Sequence, residues 1–259
     1  MLCKICQSTS NIFDQGNILN KYSIIFYKCT NCGFIQTETP FWLEESYSNT
    51  ITKSDIGLLS RNIHFSNLTS NFISLCLAKT SNFVDFGGGY GIFVRLMRDK
   101  GFNFFIFEKK CENLFANQFK ANKGTKYDLL TAWEVLEHLE DPLSTIEEML
   151  SFSSNILFST LLLSPTPKPV DNWWYYGLEH GQHISFYTKK SIQVIAEKFN
   201  FKTYYISKNL HFLGNKDINS LMLKIALHNK LLWISKVIRK HPKSLIDQDF
   251  NKLTGKLIN

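Results

Sequence analysis

Short apolar runs alternate with segments of helical spacing from Asn82 onward. The apolar runs predict strands, at Asn82–Phe86, Asn103–Glu108, Tyr127–Ala132, Asn155–Thr160, Lys202–Ser207 and Leu210–Leu213. Helical spacing predicts helices between them, at Ile92–Lys100, Pro142–Leu150 and Lys189–Asn200. Strands that alternate with helices indicate an α/β fold with a doubly wound, mostly parallel sheet.

The residues before Asn82 follow a different pattern. A strand is predicted at Lys21–Lys28, and Thr39-Pro40 marks a boundary after it. Residues 41–57 form a connector, and helical spacing follows from Leu58 to about residue 79. We therefore divide the chain into a small module at 1–39, a connector and helix at 40–80, the α/β core at 81–215 and a basic helical tail at 216–259.

Composition is that of an ordinary globular protein. The chain has 259 residues, of which 44% are hydrophobic and 20% are charged, so extended disorder is excluded. No run of eighteen apolar residues occurs, and the N-terminus lacks the apolar stretch of a signal peptide. These observations predict a cytoplasmic protein without a transmembrane segment.

Most of the positive charge lies in the tail. The formal net charge is +7, and residues 216–259 hold eight Lys and one Arg against three Asp. The chain from Met1 to Asn215 is therefore nearly neutral, which argues against a nucleic-acid partner. Residues Leu221–Lys243 form a basic amphipathic stretch. It has two interpretations: docking onto the chain's own core or a second subunit, and contact with a membrane surface.

Four of the six cysteines stand in two pairs. The pairs are Cys3-x-x-Cys6 and Cys29-x-x-Cys32, and Gly33 follows the second pair. Two such pairs can offer four thiolates to one tetrahedral Zn²⁺, and a strand between them is typical of a zinc ribbon. The alternative is two disulfides, which a reducing cytoplasm disfavours. We therefore expect a structural zinc ion on these four cysteines.

A glycine-rich turn follows the first strand of the predicted core. The sequence Asp85-Phe86-Gly87-Gly88-Gly89-Tyr90-Gly91 has the spacing Asp-x-Gly-x-Gly-x-Gly, which differs from the dinucleotide fingerprint. Glu108 ends the next predicted strand. Glycines in such a turn let a ligand approach the backbone closely.

These residues and Tyr127–Pro142 (YDLLTAWEVLEHLEDP) together resemble class I S-adenosylmethionine-dependent methyltransferases, with similarity to ubiquinone-pathway and sugar or surface-glycan enzymes. The resemblance covers about residues 80–213 and implies a Rossmann-like methyltransferase sheet. It also implies that Asp85 positions the methionine end of the cofactor and Glu108 the ribose. The other implied cofactor residues are Gly87, Gly88, Gly89, Gly91 and Glu134.

The chain departs from this resemblance in two respects. It is too short for the additional C-terminal domain of sugar C-methyltransferases. In addition, the interval between Glu108 and Tyr127 is short. The usual helix and third strand must therefore be compressed, with Phe115–Ala121 as the candidate segment, and the adenine contacts are left unassigned.

Candidate catalytic residues lie in three places. Glu134-x-x-Glu137-His138 puts three ionisable side chains on one turn. The resemblance implies that His183 lies over the active site, and that Tyr47 closes it from the connector. A similar motif with a distant His holds a divalent ion in small-RNA 2′-O-methyltransferases, so an ion on Glu134, Glu137, His138 and His183 is a second interpretation. In a third, the glutamates contact cofactor or backbone and His138 only packs.

Trp173, Trp174, Tyr175 and Tyr176 follow the strand at Asn155–Thr160. They suit either a lid that stacks on a sugar or a packed loop. The sequence as a whole predicts methyl transfer from S-adenosylmethionine to a small molecule, with a sugar or glycan-pathway metabolite as the expected acceptor. Two alternatives stay open: an RNA 2′-O-methyltransferase that uses a divalent ion, and a non-catalytic glycan-assembly scaffold.

Overall fold

A computed structural model of the chain describes residues 1–48, 55–77, 81–228 and 242–257. Parts of the predicted connector at 41–57, of the helix predicted up to residue 79 and of the basic stretch Leu221–Lys243 lie outside these ranges. None of the described helices is long and apolar enough to cross a membrane.

The described residues contain ten strands: β1 (Ser10–Ile18), β2 (Tyr22–Cys29), β3 (Ile35–Thr37), β4 (Asn82–Phe86), β5 (Asn103–Phe107), β6 (Leu129–Ala132), β7 (Asn155–Ser159), β8 (Ser185–Phe186), β9 (Thr203–Ile206) and β10 (Leu210–Gly214). The α-helices in the same ranges are α1 (Leu43–Ser46), α2 (Leu58–Cys76), α3 (Ile92–Asp99), α4 (Pro142–Phe152), α5 (Lys189–Lys198), α6 (Ser220–Ala226) and α7 (Ile246–Thr254). Short 3₁₀ helices lie at Leu136–His138, Val170–Asn172 and Trp174–Tyr176.

Six of these strands form one sheet, in the order β5-β4-β6-β7-β10-β9. β4 pairs in parallel with β5, from Asn82↔Asn103 to Phe86↔Phe107, and also with β6. β9 and β10 pair antiparallel. β6 and β7 are buried at every residue, which explains why their sequences are continuous apolar runs rather than alternating ones. The predicted α/β fold with a mostly parallel sheet is confirmed.

The compression predicted after β5 is present. Residues 109–126 contain no helix and no strand, and they make one parallel bridge, between Ile106 and Lys120. The amide of Ile106 donates to the carbonyl of Phe119 at 2.8 Å, and the amide of Ala121 donates back to Ile106 at 2.8 Å. The segment is thus long enough for a loop that touches the edge of β5, and too short for a helix and a full strand.

A second sheet contains four strands, in the order β1-β2-β3-β8. The predicted strand at Lys21–Lys28 corresponds to β2, whereas β1 was not predicted. β3 pairs antiparallel with both β2 and β8, the latter through Ile35↔Phe186 and Gln36↔Ser185. The fourth strand of this sheet therefore comes from a distant part of the sequence.

Contacts divide the chain into two compact units. The first unit comprises Met1–Ser54, Glu134–Glu148 and Leu157–Asn215. Its core includes the buried side chains of Phe26 and Tyr176, whose rings meet edge to face at 5.7 Å.

The second unit comprises Asp55–Trp133, Met149–Ile156 and Lys216–Asn259. In it, α2 packs against α3 and α6. Its core includes Phe83 and Phe104, whose ring centroids are 5.1 Å apart.

Candidate functional site

The glycine-rich turn lies in the second unit, where it joins β4 to α3. Gly87, Gly89 and Gly91 have φ angles of +69°, +54° and +83°, a region that glycine adopts without steric cost. Gly91 is the N-cap residue of α3. The turn therefore presents backbone without side chains at the carboxyl end of β4, where ligands bind in doubly wound sheets.

Asp85 lies beneath this turn and is 1% exposed. The Thr131 hydroxyl donates to its Oδ1 at 2.6 Å. A Cβ at Gly88 would be 2.6 Å from its Oδ2, so a side chain at position 88 would collide with the carboxyl group. Burial raises the pKa of Asp85 to about 8, Glu108 adds to the rise, and the Thr131 hydrogen bond opposes it. A nearby cation would favour the ionised form.

Glu108 follows β5 and is held by backbone amides. The amide of Gly89 donates to its Oε2 at 2.8 Å. The amides of Lys109, Lys110 and Cys111 donate to its Oε1 at 2.8, 2.6 and 3.1 Å. This carboxylate joins the glycine turn to the loop after β5, and Oε2 keeps capacity to accept a hydroxyl.

Trp133, at the end of β6, was not among the predicted site residues. Its ring stacks on Phe65 with centroids 4.2 Å apart and planes 7° apart, and it meets Phe93 edge to face at 5.6 Å. Its indole N–H is buried and has no hydrogen-bond partner among the described residues. A large aromatic residue directly after a buried strand is the only signal that the sequence offers for it.

Glu134 begins the candidate catalytic cluster in the first unit, and its backbone is unusual. Its φ is +54°, in the left-handed region that non-glycine residues rarely adopt. Ser159 holds it at two points: the Glu134 amide donates to Ser159 Oγ at 2.8 Å, and Ser159 Oγ donates to Glu134 Oε1 at 2.5 Å. Strained residues that neighbours hold in place are frequent at functional sites.

Glu137, in the 3₁₀ helix Leu136–His138, is fully buried. Tyr175 and Thr160 lie near enough to favour its ionised form. Neither carboxylate oxygen, however, has a well-aligned hydrogen-bond partner among the described residues. Burial, with a smaller contribution from the charge of Glu134, raises the pKa of Glu137 to about 8.

The histidines next to this carboxyl have defined tautomers. His138 Nδ1 lies 3.0 Å from the carbonyl oxygen of Gln182 and 3.1 Å from the Tyr47 hydroxyl. His183 Nδ1 lies 2.6 Å from the carbonyl oxygen of Tyr175. Because a carbonyl only accepts, both Nδ1 atoms carry a proton, and in the neutral rings the lone pair is on Nε2.

The loop that carries His183 is anchored by contacts that the sequence did not reveal. The Trp42 indole donates to the carbonyl of Gly181 at 2.8 Å, and the Gln182 side chain donates to the carbonyl of Ser46 at 2.9 Å. The amide of Ile184 donates to the carbonyl of Glu137 at 2.9 Å. These bonds fix the histidine loop against α1 and the 3₁₀ helix.

Three of the four residues proposed for a divalent ion are close together. One donor atom from each of Glu137, His138 and His183 lies within 4.8 Å of the other two. Glu134 is not part of this group, and its Oε1 is engaged by Ser159. Two ligands about 2.1 Å from one ion lie at most about 4.2 Å apart, so this group would contract slightly around a metal.

The four cysteines of the two pairs converge on one point. The Sγ–Sγ distances are 3.6 Å for Cys3–Cys32, 3.4 Å for Cys6–Cys29 and 3.5 Å for Cys6–Cys32, and all four thiols are free. Four sulfurs held about 2.3 Å from a tetrahedral ion would be about 3.8 Å apart. The hydrogen bond with Cys32 lowers the pKa of the Cys3 thiol to about 5. The donor set therefore fits a four-thiolate metal site.

The aromatic segment at 173–176 divides into two parts. Tyr175 and Tyr176 are buried, and the Tyr175 hydroxyl accepts a hydrogen bond from the Leu161 amide at 2.9 Å. Trp174, in contrast, is 75% exposed. The two tyrosines thus belong to a packed loop, Trp173 packs partly buried against the same core, and Trp174 is the most exposed aromatic residue of this segment.

Comparisons with known proteins give a family. A family model described as a methyltransferase domain matches residues 60–206. No curated protein matches the sequence.

Solved methyltransferase structures are similar at low identity. The plantazolicin methyltransferase BpumL in complex with SAH is 13% identical, with a TM-score of 0.47 over 78% of this chain and 88% of that chain. An O-methyltransferase family protein from Burkholderia thailandensis is 11% identical, with a TM-score of 0.47 over 68% and 62% of the two chains. Human N-acetylserotonin methyltransferase in complex with SAM is 16% identical, with a TM-score of 0.43 over 60% of this chain and 52% of that one, so the chain spans about half of its length.

The family match covers more than half of the sequence. The predicted methyltransferase family is therefore confirmed, and the chain belongs to the methyltransferase domain family.

Proposed function

We propose that the chain methylates a small-molecule acceptor from which a proton must be removed. One observation carries this proposal: His138 and His183, both with Nδ1 tied to a carbonyl oxygen, lie beside the buried carboxyl of Glu137. An imidazole next to a carboxylate can act as a general base and accept a proton from the acceptor. An acceptor that is already acidic would react without such a base.

We further propose that the turn Gly87–Gly91 and Glu108 bind S-adenosylmethionine, which supplies an electrophilic methyl group on a sulfonium. The bare backbone of the turn and the acceptor capacity of Glu108 Oε2 support this assignment. Asp85, buried under the turn, provides a carboxyl group that a ligand ammonium would ionise. These features fit the cofactor's amino and ribose hydroxyl groups.

His183 is proposed as the base. Its Nδ1–H donates to Tyr175, so its Nε2 can accept a proton from an acceptor hydroxyl. The Glu137 carboxyl next to it can stabilise the resulting imidazolium once it is ionised. Tyr47, which contacts His138, is proposed to orient that second ring.

For the acceptor we propose a sugar or sugar-linked metabolite. Sugar hydroxyls are weak acids, so they need the base that the histidine pair offers. The exposed Trp174 supplies an aromatic face of the kind on which sugar rings stack. The near-neutral charge of the chain from Met1 to Asn215 favours this class over RNA.

The test uses His183→Ala and, as a matched control, His64→Ala on α2. Enzyme is incubated with methyl-labelled S-adenosylmethionine and the small-molecule fraction of a cell extract, and labelled products are identified by mass spectrometry. His183→Ala should bind cofactor normally and lose methyl transfer by about 10²-fold, the scale of a positioned base. His64→Ala should be as active as the unmodified chain. Full activity in His183→Ala would refute the assignment.

Chelation separates the base mechanism from the divalent-ion alternative. The cluster of Glu137, His138 and His183 supports that alternative, because it offers one carboxylate and two imidazoles. If His183 acts as a base without a metal ion, EDTA should leave the methyl-transfer activity unchanged. Activity that EDTA abolishes and Mg²⁺ or Mn²⁺ restores would instead assign the cluster to a metal, and labelled RNA as the product would favour the 2′-O-methyltransferase alternative.

We also propose that Cys3, Cys6, Cys29 and Cys32 hold a structural zinc ion. Their close Sγ spacing, 3.5 Å between Cys6 and Cys32, and the four free thiols support this. Backbone amides also point at the sulfurs, for example from Cys32 to Cys29 Sγ at 3.4 Å. Metal analysis of protein purified without chelators should give one zinc per chain.

A further inference from the structure

The second unit contains a buried ion pair that the proposed chemistry does not use. Asp249 on α7 is 2% exposed, and Arg98 on α3 donates to both of its oxygens, Nε at 2.7 Å and Nη2 at 2.6 Å. Arg95 Nη2 lies 2.9 Å from the same carboxylate. A buried ion pair often contributes no more stability than apolar residues of the same volume, so this pair suggests a role beyond stability.

Arg98 connects this pair to the loop at 113–121, which follows β5. Its guanidinium lies 3.7 Å from the ring centroid of Phe119, and Lys252 of α7 lies 5.7 Å from the same ring. Asp249 holds Nε and Nη2 of this guanidinium, while Nη1 donates to Asn103 Oδ1 at 2.6 Å and to the Phe104 carbonyl at 3.0 Å. Asp249 thus fixes the side of the fork that the residues of β5 leave free. Phe119 is therefore clamped from α3 and from the tail helix.

The loop in turn packs against the glycine turn. The amides of Leu114 and Phe115 donate to the carbonyl of Tyr90 at 3.0 and 2.9 Å. A Cβ at Gly91 would lie 2.5 Å from Asn113 Oδ1 and 3.0 Å from the Cβ of Ala116. Residues 113–116 thus press directly on the last glycine of the turn.

Apart from these contacts, the loop has little regular structure to order it. It contains no helix or strand, and its contact with the sheet is the bridge between Ile106 and Lys120. Its side chains at Leu114 and Phe115 are more than half exposed. Phe119 is 3% exposed and Ala116 is 1% exposed, so the clamp on Phe119 and the packing of Ala116 on Gly91 together hold residues 113–121 in position.

We propose that the tail helix α7 positions the cofactor turn through Asp249, Arg98 and Phe119. Asp249 and Arg98 are then positioning residues for cofactor binding, acting through the loop at 113–121 rather than by contact. This inference rests on the proposed cofactor site. It gives α7 a role inside the enzyme, next to the segment 109–126, where the structure has neither a helix nor a strand.

The experiment compares Asp249→Asn with Asp99→Asn in the full chain. Asp99 also pairs with Arg95 on α3, at 2.8 Å, but its side chain is 38% exposed, so its variant removes a charge of the same network that is only partly buried. Calorimetry measures the affinity for S-adenosylhomocysteine, and hydrogen exchange measures amide protection in 113–121 and in β4. Asp249→Asn should weaken binding about tenfold, or about 1.4 kcal/mol, and speed exchange in 113–121 but not in β4.

Two outcomes would overturn the inference: unchanged affinity in Asp249→Asn, or weakened affinity without faster exchange in 113–121. Asp99→Asn and Asp249→Glu, which keeps the charge, should stay close to the unmodified chain. If Asp249→Asn does not fold, Arg98→Lys replaces it, because a lysine keeps the charge and loses the planar contact with Phe119. Failure of the unmodified chain to bind S-adenosylhomocysteine would instead refute the proposed cofactor site.

Discussion

Replacing Asp85 with Asn should change how stability depends on pH. The pKa of Asp85 rises from 3.8 to about 8 on folding, because the carboxyl is buried under the glycine turn. Between these values the folded chain keeps a proton that the unfolded chain has lost, so stability falls as pH rises from about 4 to 8. A rise of this size in the pKa lowers the free energy of unfolding above pH 8 by on the order of 5 kcal/mol.

The variant cannot ionise, and its amide oxygen can still accept the Thr131 hydroxyl. Urea unfolding of the ligand-free protein should show a variant that is about 1–2 kcal/mol more stable than the unmodified chain at pH 5, and several kcal/mol more stable at pH 8.5. Asp128→Asn, an exposed change just before β6, serves as the control and should behave like the unmodified chain at both values. A stability difference that does not change with pH would show that Asp85 is ionised in the folded state.

Three further changes test other parts of the molecule. Glu108→Ala should weaken S-adenosylhomocysteine binding by about 1.5–3 kcal/mol in calorimetry, the scale of a charge-assisted hydrogen bond, and equal affinity would contradict the ribose assignment. Gly88→Ala should lower the free energy of unfolding by about 1–3 kcal/mol, because its Cβ would meet Asp85 Oδ2 at 2.6 Å, and unchanged thermal unfolding would argue against this packing. Cys29→Ser should lose zinc and, in hydrogen exchange, expose β8 as well as β1–β3; protection that stays intact in β8 would show that the effect ends within residues 1–39.

The sequence was most informative where burial is continuous. β4 has the predicted bounds Asn82–Phe86, and β6 and β7 lie within the predicted runs, because strands buried on both faces leave an uninterrupted apolar signal. β1 was missed for the opposite reason. Its sequence SNIFDQGNI is largely polar and much of its length faces solvent, so neither alternation nor an apolar run marks it.

Contacts between distant residues were beyond prediction. The pairing of β3 with β8 involves strands of three and two residues, too short for a recognisable pattern. It is reinforced by Thr188 Oγ1, which donates to the carbonyl of Cys32 at 2.6 Å and also caps α5. Because of these contacts, we expect Cys29→Ser to affect β8 as well. The spacing of the cysteines alone could not predict this effect.

The candidate site was predictable as residue types and not as geometry. The glycine spacing identified the turn because positive φ restricts the choice of residue. The left-handed backbone of Glu134 could not be predicted, since glutamate does not favour it and its partner Ser159 is distant in the sequence. The same Ser159 contact engages the Glu134 carboxylate, which is not part of the group formed by Glu137, His138 and His183.

The positions that lower stability are informative about function. Asp85 and Glu137 are buried carboxyl groups whose pKa values rise to about 8, and Glu134 adopts a disfavoured backbone. An asparagine or glutamine would fill the same space without the charge, so packing alone gives no reason for a carboxyl group at either buried position. A group that ionises near neutral pH is useful where a cation binds or a proton moves. The cation-binding role proposed for Asp85 supplies such a reason in the second unit, and the role proposed for Glu137, which stabilises the imidazolium of His183, supplies one in the first.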